Sequence, residues 1–245
     1  MAEQKEAIIQ VRNLSKSFGG VKALNHVSFD LFEGEVLGII GPNGSGKTTL
    51  VNTITGFVKP ESGEVFFRNI KLTGLPHYKI ADLGVTRTFQ VVRPLRRMTV
   101  LDNVIASAFL RAKDKAEAEE IALEVLRFTG LYEDRNVLSK GLPLGKRKKL
   151  EVTRALATQP EMLLLDESFA GLNPSEKNEL IDIIRQIRAK GITIMVIEHH
   201  MKVIMALSDR IVVLNYGQKI AEGTPKEIGS NPIVIEAYLG EAESA

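Results

Sequence analysis

Cysteine is missing from all 245 residues of the chain. A disulfide framework and thiolate chemistry are therefore excluded. A charge bias is missing as well: 32 basic residues face 30 acidic ones, for a formal net charge of +2. That imbalance is too small to point to a nucleic-acid partner, although it leaves room for local basic patches. No run approaches the roughly 18–20 apolar residues of a membrane-spanning helix. The opening MAEQKEAIIQ is polar and lacks the apolar centre of a secretion signal. Internal repeats and long low-complexity linkers are absent too. These absences predict a cytoplasmic soluble protein; work at a membrane would require another component to anchor it. Core-forming residues are plentiful, at 44% hydrophobic. That is enough for one large α/β domain, or for one domain with a smaller lobe.

Hydrophobic patterning divides the chain. IIQVRNL (8–14) and VSFDLFE (27–33) read as strands, and VLGII (36–40) is a short apolar run ending in a glycine-rich loop. A helix is expected over 47–57, closed by KPESG, with EVFFR as a further strand. From about Asn103 to Leu138 the pattern is helical, with Leu123 and Leu126 on one buried face. Strand signals return at MLLLDE (162–167), ITIMVIEH (192–199) and IVVLNYG (211–217), with a helix over 175–189. Strands alternating with helices predict a mostly parallel sheet covered by helices. The expected organisation is a core of residues 1–90 and 159–245 interrupted by a helical lobe, 91–158. The terminal EAESA is expected to fray.

GPNGSGKT (41–48) fits the phosphate-loop pattern G-x-x-x-x-G-K-[ST], between an apolar strand and a helix. Glycines at 41, 44 and 46 allow backbone amides to turn inward as an anion nest, and the helix N-terminus adds its own. Lys47 is expected to reach the β- and γ-phosphates and Thr48 to ligate Mg²⁺. LLLDE (163–167) supplies the partner element: Asp166 for the magnesium shell and Glu167 to position or deprotonate water. His199 is a candidate γ-phosphate contact, but His200 beside it leaves the choice open on chemical grounds alone. GLPLGKRKKLE (141–151) can be read as a nucleic-acid patch, a charged helix face or an altered nucleotide-binding motif.

Together these motifs resemble the ATP-binding subunit of ABC transporters over nearly the whole chain. GPNGSGKT is similar to Walker A, LLLDE to Walker B, and GLPLGKRKKLEVTRAL lies where the signature motif belongs. The resemblance implies a P-loop NTPase core with a mostly parallel sheet, an N-terminal antiparallel β region and an inserted α-helical lobe. It implies ATP and Mg²⁺ as cofactors, and nucleotide contacts from Asn43, Gly44, Ser45, Gly46, Lys47, Thr48 and Thr49. Phe18 matches the adenine-stacking aromatic, and Gln90 matches the Q-loop glutamine that touches Mg²⁺ beside Thr48 and Asp166. FAGLN occupies the D-loop. His199, rather than His200, matches the switch histidine, acting with Glu167 in catalysis.

GVTRTFQ, AGLNP and the run from VIEHHMKV to AYLGE look like subunits of branched-chain amino-acid importers, with the ATPase of lipopolysaccharide export as the alternative. The resemblance further implies a head-to-tail dimer, of two copies or with a paralogous ATPase. Integral membrane permease subunits would be partners, and a periplasmic or extracellular binding protein would be served indirectly. The location implied is the cytoplasmic face of the membrane. Arg93, Arg96 and Arg97 lie in the segment expected to receive a coupling helix. A DNA-associated ABC ATPase would need long coiled-coil insertions, and no nucleic acid is expected.

Two departures stand out. Where the signature reads Leu-Ser-Gly-Gly-Gln, this chain has Leu142, Pro143, Leu144, Gly145 and Lys146. Pro143 offers neither hydroxyl nor N–H, whereas Leu144, Gly145 and Lys146 keep donors that could face a partner's nucleotide. Of the basic run only Lys146 is expected to matter there, the next three residues being split between helix faces. Ser168 replaces the usual proline after Glu167, which is expected to loosen that loop. A working ATPase with a relaxed signature and a nucleotide-gated regulatory subunit both fit these departures; Lys47, Asp166, Glu167 and His199 favour the former.

Overall fold

The structure, a computed structural model, describes residues 6–88 and 95–242. A glycine-pair turn folds β1 (Ala7–Phe18) onto β2 (Val21–Phe32), and β4 (Ser62–Phe67) pairs with the other edge of β1. With the short β5 (Ile70–Lys71) they form an antiparallel sheet ordered β2-β1-β4-β5. The second strand starts six residues before the expected Val27, because the hairpin pairs Phe18 with Val21 right up to its turn.

The second sheet carries the chemistry. It holds β3 (Val36–Ile40), β6 (Val85–Arg87), β7 (Met162–Asp166), β8 (Thr193–Ile197), β9 (Arg210–Asn215) and β10 (Gln218–Gly223). Their order is β10-β9-β3-β8-β7-β6, with only the β9–β10 pair antiparallel. Strands β3, β7 and β8 are buried on both faces, which explains why they read as continuous apolar runs. Leu37 and Ile39 point with Met162, Leu164, Met195 and Ile197 into the space shared with the antiparallel sheet and α1 (Lys47–Ile54). Val36, Ile40, Leu163, Leu165, Ile194 and Val196 face the opposite layer. There they meet α5 (Leu144–Leu156), α6 (Pro174–Ala189) and α7 (Met201–Leu207).

The stretch expected to be helical from Asn103 to Leu138 is two helices, α3 (Val100–Ala108) and α4 (Lys115–Phe128), followed by a 3₁₀ turn at Tyr132–Asp134. Capping sets both starts. Thr99 and Asp102 form a reciprocal capping box, which begins α3 before Asn103, and Asp114 accepts from the Glu117 amide to begin α4. Val104, Ala118, Ala122, Leu126, Leu131 and Leu150 form an apolar cluster separate from the two sheet layers. Helix α5 belongs to both: Leu150 closes that cluster, whereas Val152, Ala155 and Leu156 pack on the sheet side. The remaining elements are α2 (His77–Asp82), a 3₁₀ turn at Ser139–Gly141, α8 (Pro225–Gly229) and α9 (Pro232–Ala242).

Candidate active site

Parallel strands that all point one way deliver their C-terminal loops to one edge. Here β8 lies between β3 and β7, so the glycine loop, Asp166–Glu167 and Glu198–His199–His200 leave neighbouring strands at the same edge. The glycine loop is built so that no side chain fills it. A Cβ at Gly41 would lie 2.1 Å from the Leu214 carbonyl oxygen, and one at Gly46, whose φ is +104°, would lie 2.3 Å from that of Ala23. Lys47 is buried, and its ammonium donates to the carbonyls of Gly41 (2.7 Å) and Pro42 (2.8 Å) and to Ser45 Oγ (3.4 Å). Helix α1 starts at Lys47 without a side-chain cap, so its N-terminus points its positive dipole end toward the loop, where an anion is favoured. The cradle and its cation fit a nucleotide's phosphates. Thr48 Oγ1 and the Asp166 carboxylate are hard oxygen donors of the kind Mg²⁺ takes.

Asp166 ends β7 with its side chain 2% exposed, in an ion pair of 2.8 Å with Arg87 Nη2, itself 8% exposed. Burial pushes the Asp166 carboxyl above its ordinary range, opposed by the Arg87 charge, and burial likewise lowers the Arg87 guanidinium. The other Arg87 branch donates to Asn52 Oδ1 at 2.6 Å, and its guanidinium carbon lies 5.5 Å from the Phe57 ring centroid. Sequence reading passed over Arg87. Its signal was an arginine in a three-residue strand immediately before the Thr88-Phe89-Gln90 segment.

The loop after β7 is tied down rather than loosened. Glu167 sits at φ +48°, a left-handed conformation unusual for a residue with a side chain. Its amide donates to the Ile197 carbonyl (3.0 Å), and its own carbonyl accepts from Lys148 Nζ (2.9 Å). Ser168 is buried, with its hydroxyl 3.0 Å from Thr88 Oγ1, and the Asp166 amide donates to that same oxygen at 3.0 Å. The Phe169 amide donates to Glu198 Oε1 at 2.9 Å. Hydrogen bonds thus supply the restraint that a proline ring would have given.

Glu198, fully buried, is a second residue that sequence reading missed. Besides Phe169 it meets His200 Nδ1 at 3.1 Å through Oε2, whereas His199 Nδ1 is 3.9 Å away. His199 is half exposed at the strand end and His200 is more covered. A carboxylate at the end of a parallel buried strand was the available sign.

Pro143 caps α5 through extended backbone and contributes no side-chain hydrogen bond. Leu144 is partly exposed, and its Cδ2 lies 2.8 Å from the position a Cβ would take on Gly171, so the absent side chain there makes room for it. Lys146 donates to Asp134 Oδ1 at 2.7 Å, so a phosphate contact would first have to break this exposed pair, worth at most about 1 kcal/mol. Lys149 pairs with Glu179 at 2.6 Å. Lys148, expected to be incidental, instead turns inward to Glu167. Phe18 is 52% exposed at the end of β1, with Lys16 Nζ 5.2 Å from its ring centroid. Asn43, Gly44, Ser45 and Thr49 lie on the glycine loop and first turn of α1. Gln90 and Arg93 lie outside the described residues, and Arg96 and Arg97 are exposed.

Residues 24–170 match the ABC transporter family, and residues 218–244 match the branched-chain amino acid ATP-binding cassette transporter family. The high-affinity branched-chain amino acid transport ATP-binding protein LivG of Salmonella typhimurium is 45% identical, covering 97% of this chain and 99% of its own. A nucleotide-free ATP-binding cassette from an ABC transporter superposes with a TM-score of 0.88 at 35% identity, over 95% of this chain and 99% of that one. A dimeric post-hydrolysis cassette bound to ADP and Pi gives 0.80 at 27% identity, over 89% and 98%.

Proposed function

The chain belongs to the ABC transporter family of ATP-binding cassettes, and from that premise we propose that it hydrolyses ATP to power import of branched-chain or other hydrophobic amino acids. The observation that carries this reading is the convergence of Lys47, Asp166, Glu167 and His199 at one edge of the sheet, on the C-terminal ends of β3, β7 and β8 or in the turns that follow. Lipid export and a purely regulatory role are not favoured, since the relatives matched over the full chain are named for branched-chain amino-acid transport.

The glycine loop, with Asn43, Gly44, Ser45, Gly46 and Thr49, binds the phosphates through backbone and hydroxyl donors, and Lys47 exchanges its loop carbonyls for phosphate oxygens. Thr48 and Asp166, with Gln90, would hold Mg²⁺. When bound, Mg²⁺ supplies the charge that neutralises the phosphates. The Glu167 carboxylate orients and accepts a proton from the attacking water, while His199 donates toward the γ-phosphate. Phe18 stacks on the adenine ring. Residues 91–158 act as the lobe that presents Leu144, Gly145 and Lys146 to the nucleotide of a second cassette.

Cassettes of this kind work as dimers on membrane permease subunits. We further propose that this chain pairs with itself or with a paralogue and serves a periplasmic or extracellular binding protein. Among the described residues no helix is long and apolar enough to cross a membrane. We place the chain on the cytoplasmic face, held there by the permease through the surface around Arg96 and Arg97. Co-purification with candidate permease subunits and an ATPase assay with and without binding protein test the reading. Turnover no higher than that of a Glu167→Gln control, with the permease present, refutes it.

A further inference from the structure

We propose that Lys148 is a positioning residue for Glu167, transmitting the placement of α5 to the backbone of the water-activating residue in the same chain. The observation is an inward-turned lysine on a helix shared by two cores. Lys148 is 3% exposed, and its ammonium donates to the Glu167 carbonyl oxygen at 2.9 Å. Among the described residues it forms no ion pair, whereas Lys146 and Lys149 on either side each hold a carboxylate. Withdrawing an ammonium from water with only a carbonyl to receive it is unfavourable. A lysine at this position could satisfy its charge more cheaply in solvent, so the inward conformation is one the surrounding packing holds.

The acceptor is the informative partner. Glu167 sits at φ +48°, and such a conformation persists only where its surroundings over-determine it. Here its N–H is fixed to Ile197 in β8, and its C=O accepts from Lys148 in α5 at 2.9 Å and, more weakly at 3.3 Å, from the Ala170 amide of its own turn. Moving α5 relative to the sheet therefore pulls the Glu167 carbonyl against its Ile197 anchor and swings its carboxylate. Because α5 also carries Leu144, Gly145 and Lys146 at its N-terminus, one rigid helix joins the face offered to a partner's nucleotide to the chain's own Glu167. The coupling is a charge-assisted hydrogen bond whose length is set by helix position.

This rests on the reading of Glu167 as the residue that activates water, and the test separates the two. ATP hydrolysis and nucleotide binding are measured for the full chain co-purified with its permease subunits, carrying Lys148→Met, Lys148→Arg or Glu167→Gln. Misplacement of a catalytic group by about 1 Å costs up to about a hundredfold, so Lys148→Met should lower kcat by roughly ten- to a hundredfold. KM and ATP-analogue affinity should stay within about twofold. Lys148→Arg, which keeps a cationic donor, should recover most of the loss. Unchanged kcat, a matching rise in KM, or an arginine variant as slow as the methionine one overturns the proposal while Glu167→Gln remains inactive. Turnover that survives Glu167→Gln removes the underlying reading and the proposal with it. Should Lys148→Met fail to fold, Lys148→Gln, polar but uncharged, reads the same split.

Discussion

Replacing Arg87 by methionine keeps a buried stem and deletes the guanidinium that faces Asp166. Both side chains are under one tenth exposed, so solvent screening gives little relief. Removing one partner of a buried pair costs about 3–5 kcal/mol. An independent ceiling follows from protonation, because the stranded carboxyl can take up a proton instead of staying charged. Protonating a carboxyl of ordinary value 3.8 at pH 7 costs about 4 kcal/mol. Loss of the Asn52 bond adds about 1 kcal/mol. For a chain of this length 1 kcal/mol moves Tm by about 2–4 °C, so the nucleotide-free variant should melt roughly 10–20 °C lower. Magnesium with a non-hydrolysable ATP analogue restores positive charge beside Asp166. The magnesium-dependent part of the ligand-induced Tm rise, read against the analogue in EDTA, should therefore be larger in Arg87→Met than in the parent. A Tm loss under 2 °C, or an equal magnesium-dependent rise in both proteins, refutes the reasoning.

Pro143→Ser gives α5 an N-cap hydroxyl, expected to stabilise by about 1 kcal/mol, and supplies the donor absent from the signature segment. Faster ATP hydrolysis with unchanged monomer affinity in an equilibrium binding assay is the expected outcome. Gly46→Ala places a Cβ 2.3 Å from the Ala23 carbonyl at φ +104° and should abolish nucleotide binding, with a stability loss above roughly 3 kcal/mol in denaturant unfolding. Ser168→Ala removes the hydroxyl contact to Thr88 and should cost about 1 kcal/mol in the same measurement, with turnover falling if the loop drifts. Glu227 is held below its ordinary value of 4.5 by the Thr224 amide and hydroxyl at the start of α8. Its contribution is present above pH 4.5 and lost as pH falls through the depressed value. Amide protection in α8, taken relative to the intrinsic exchange rate at each pH, should fall over that acid range, and Glu227→Gln should flatten the dependence.

The glycine loop and the strand ending in Asp166-Glu167 were legible because their chemistry is local. An anion nest needs glycines at fixed offsets, and a twice-buried strand needs an unbroken apolar run. The lobe's helices were legible in kind but not in their bounds, since Thr99 and Asp114 act as caps only once the chain has turned to present them. Ser168 illustrates the opposite limit. Read alone it is a missing proline and a looser loop; in the fold it is buried against Thr88, 80 residues away in sequence.

Signals lying within a few residues specified the phosphate loop, the parallel strands and the altered signature at Pro143 and Leu144. Which partners those elements meet follows from how the chain packs. Arg87 reaches Asp166 because β6 pairs with β7, Glu198 reaches Phe169 because β8 does, and Lys148 turns from an apparent basic patch to Glu167 because α5 is shared between two cores. Periodicity assigns a residue to a face, but the acceptor across that face comes from a distant segment, and only strand order and helix packing bring the two within hydrogen-bonding reach.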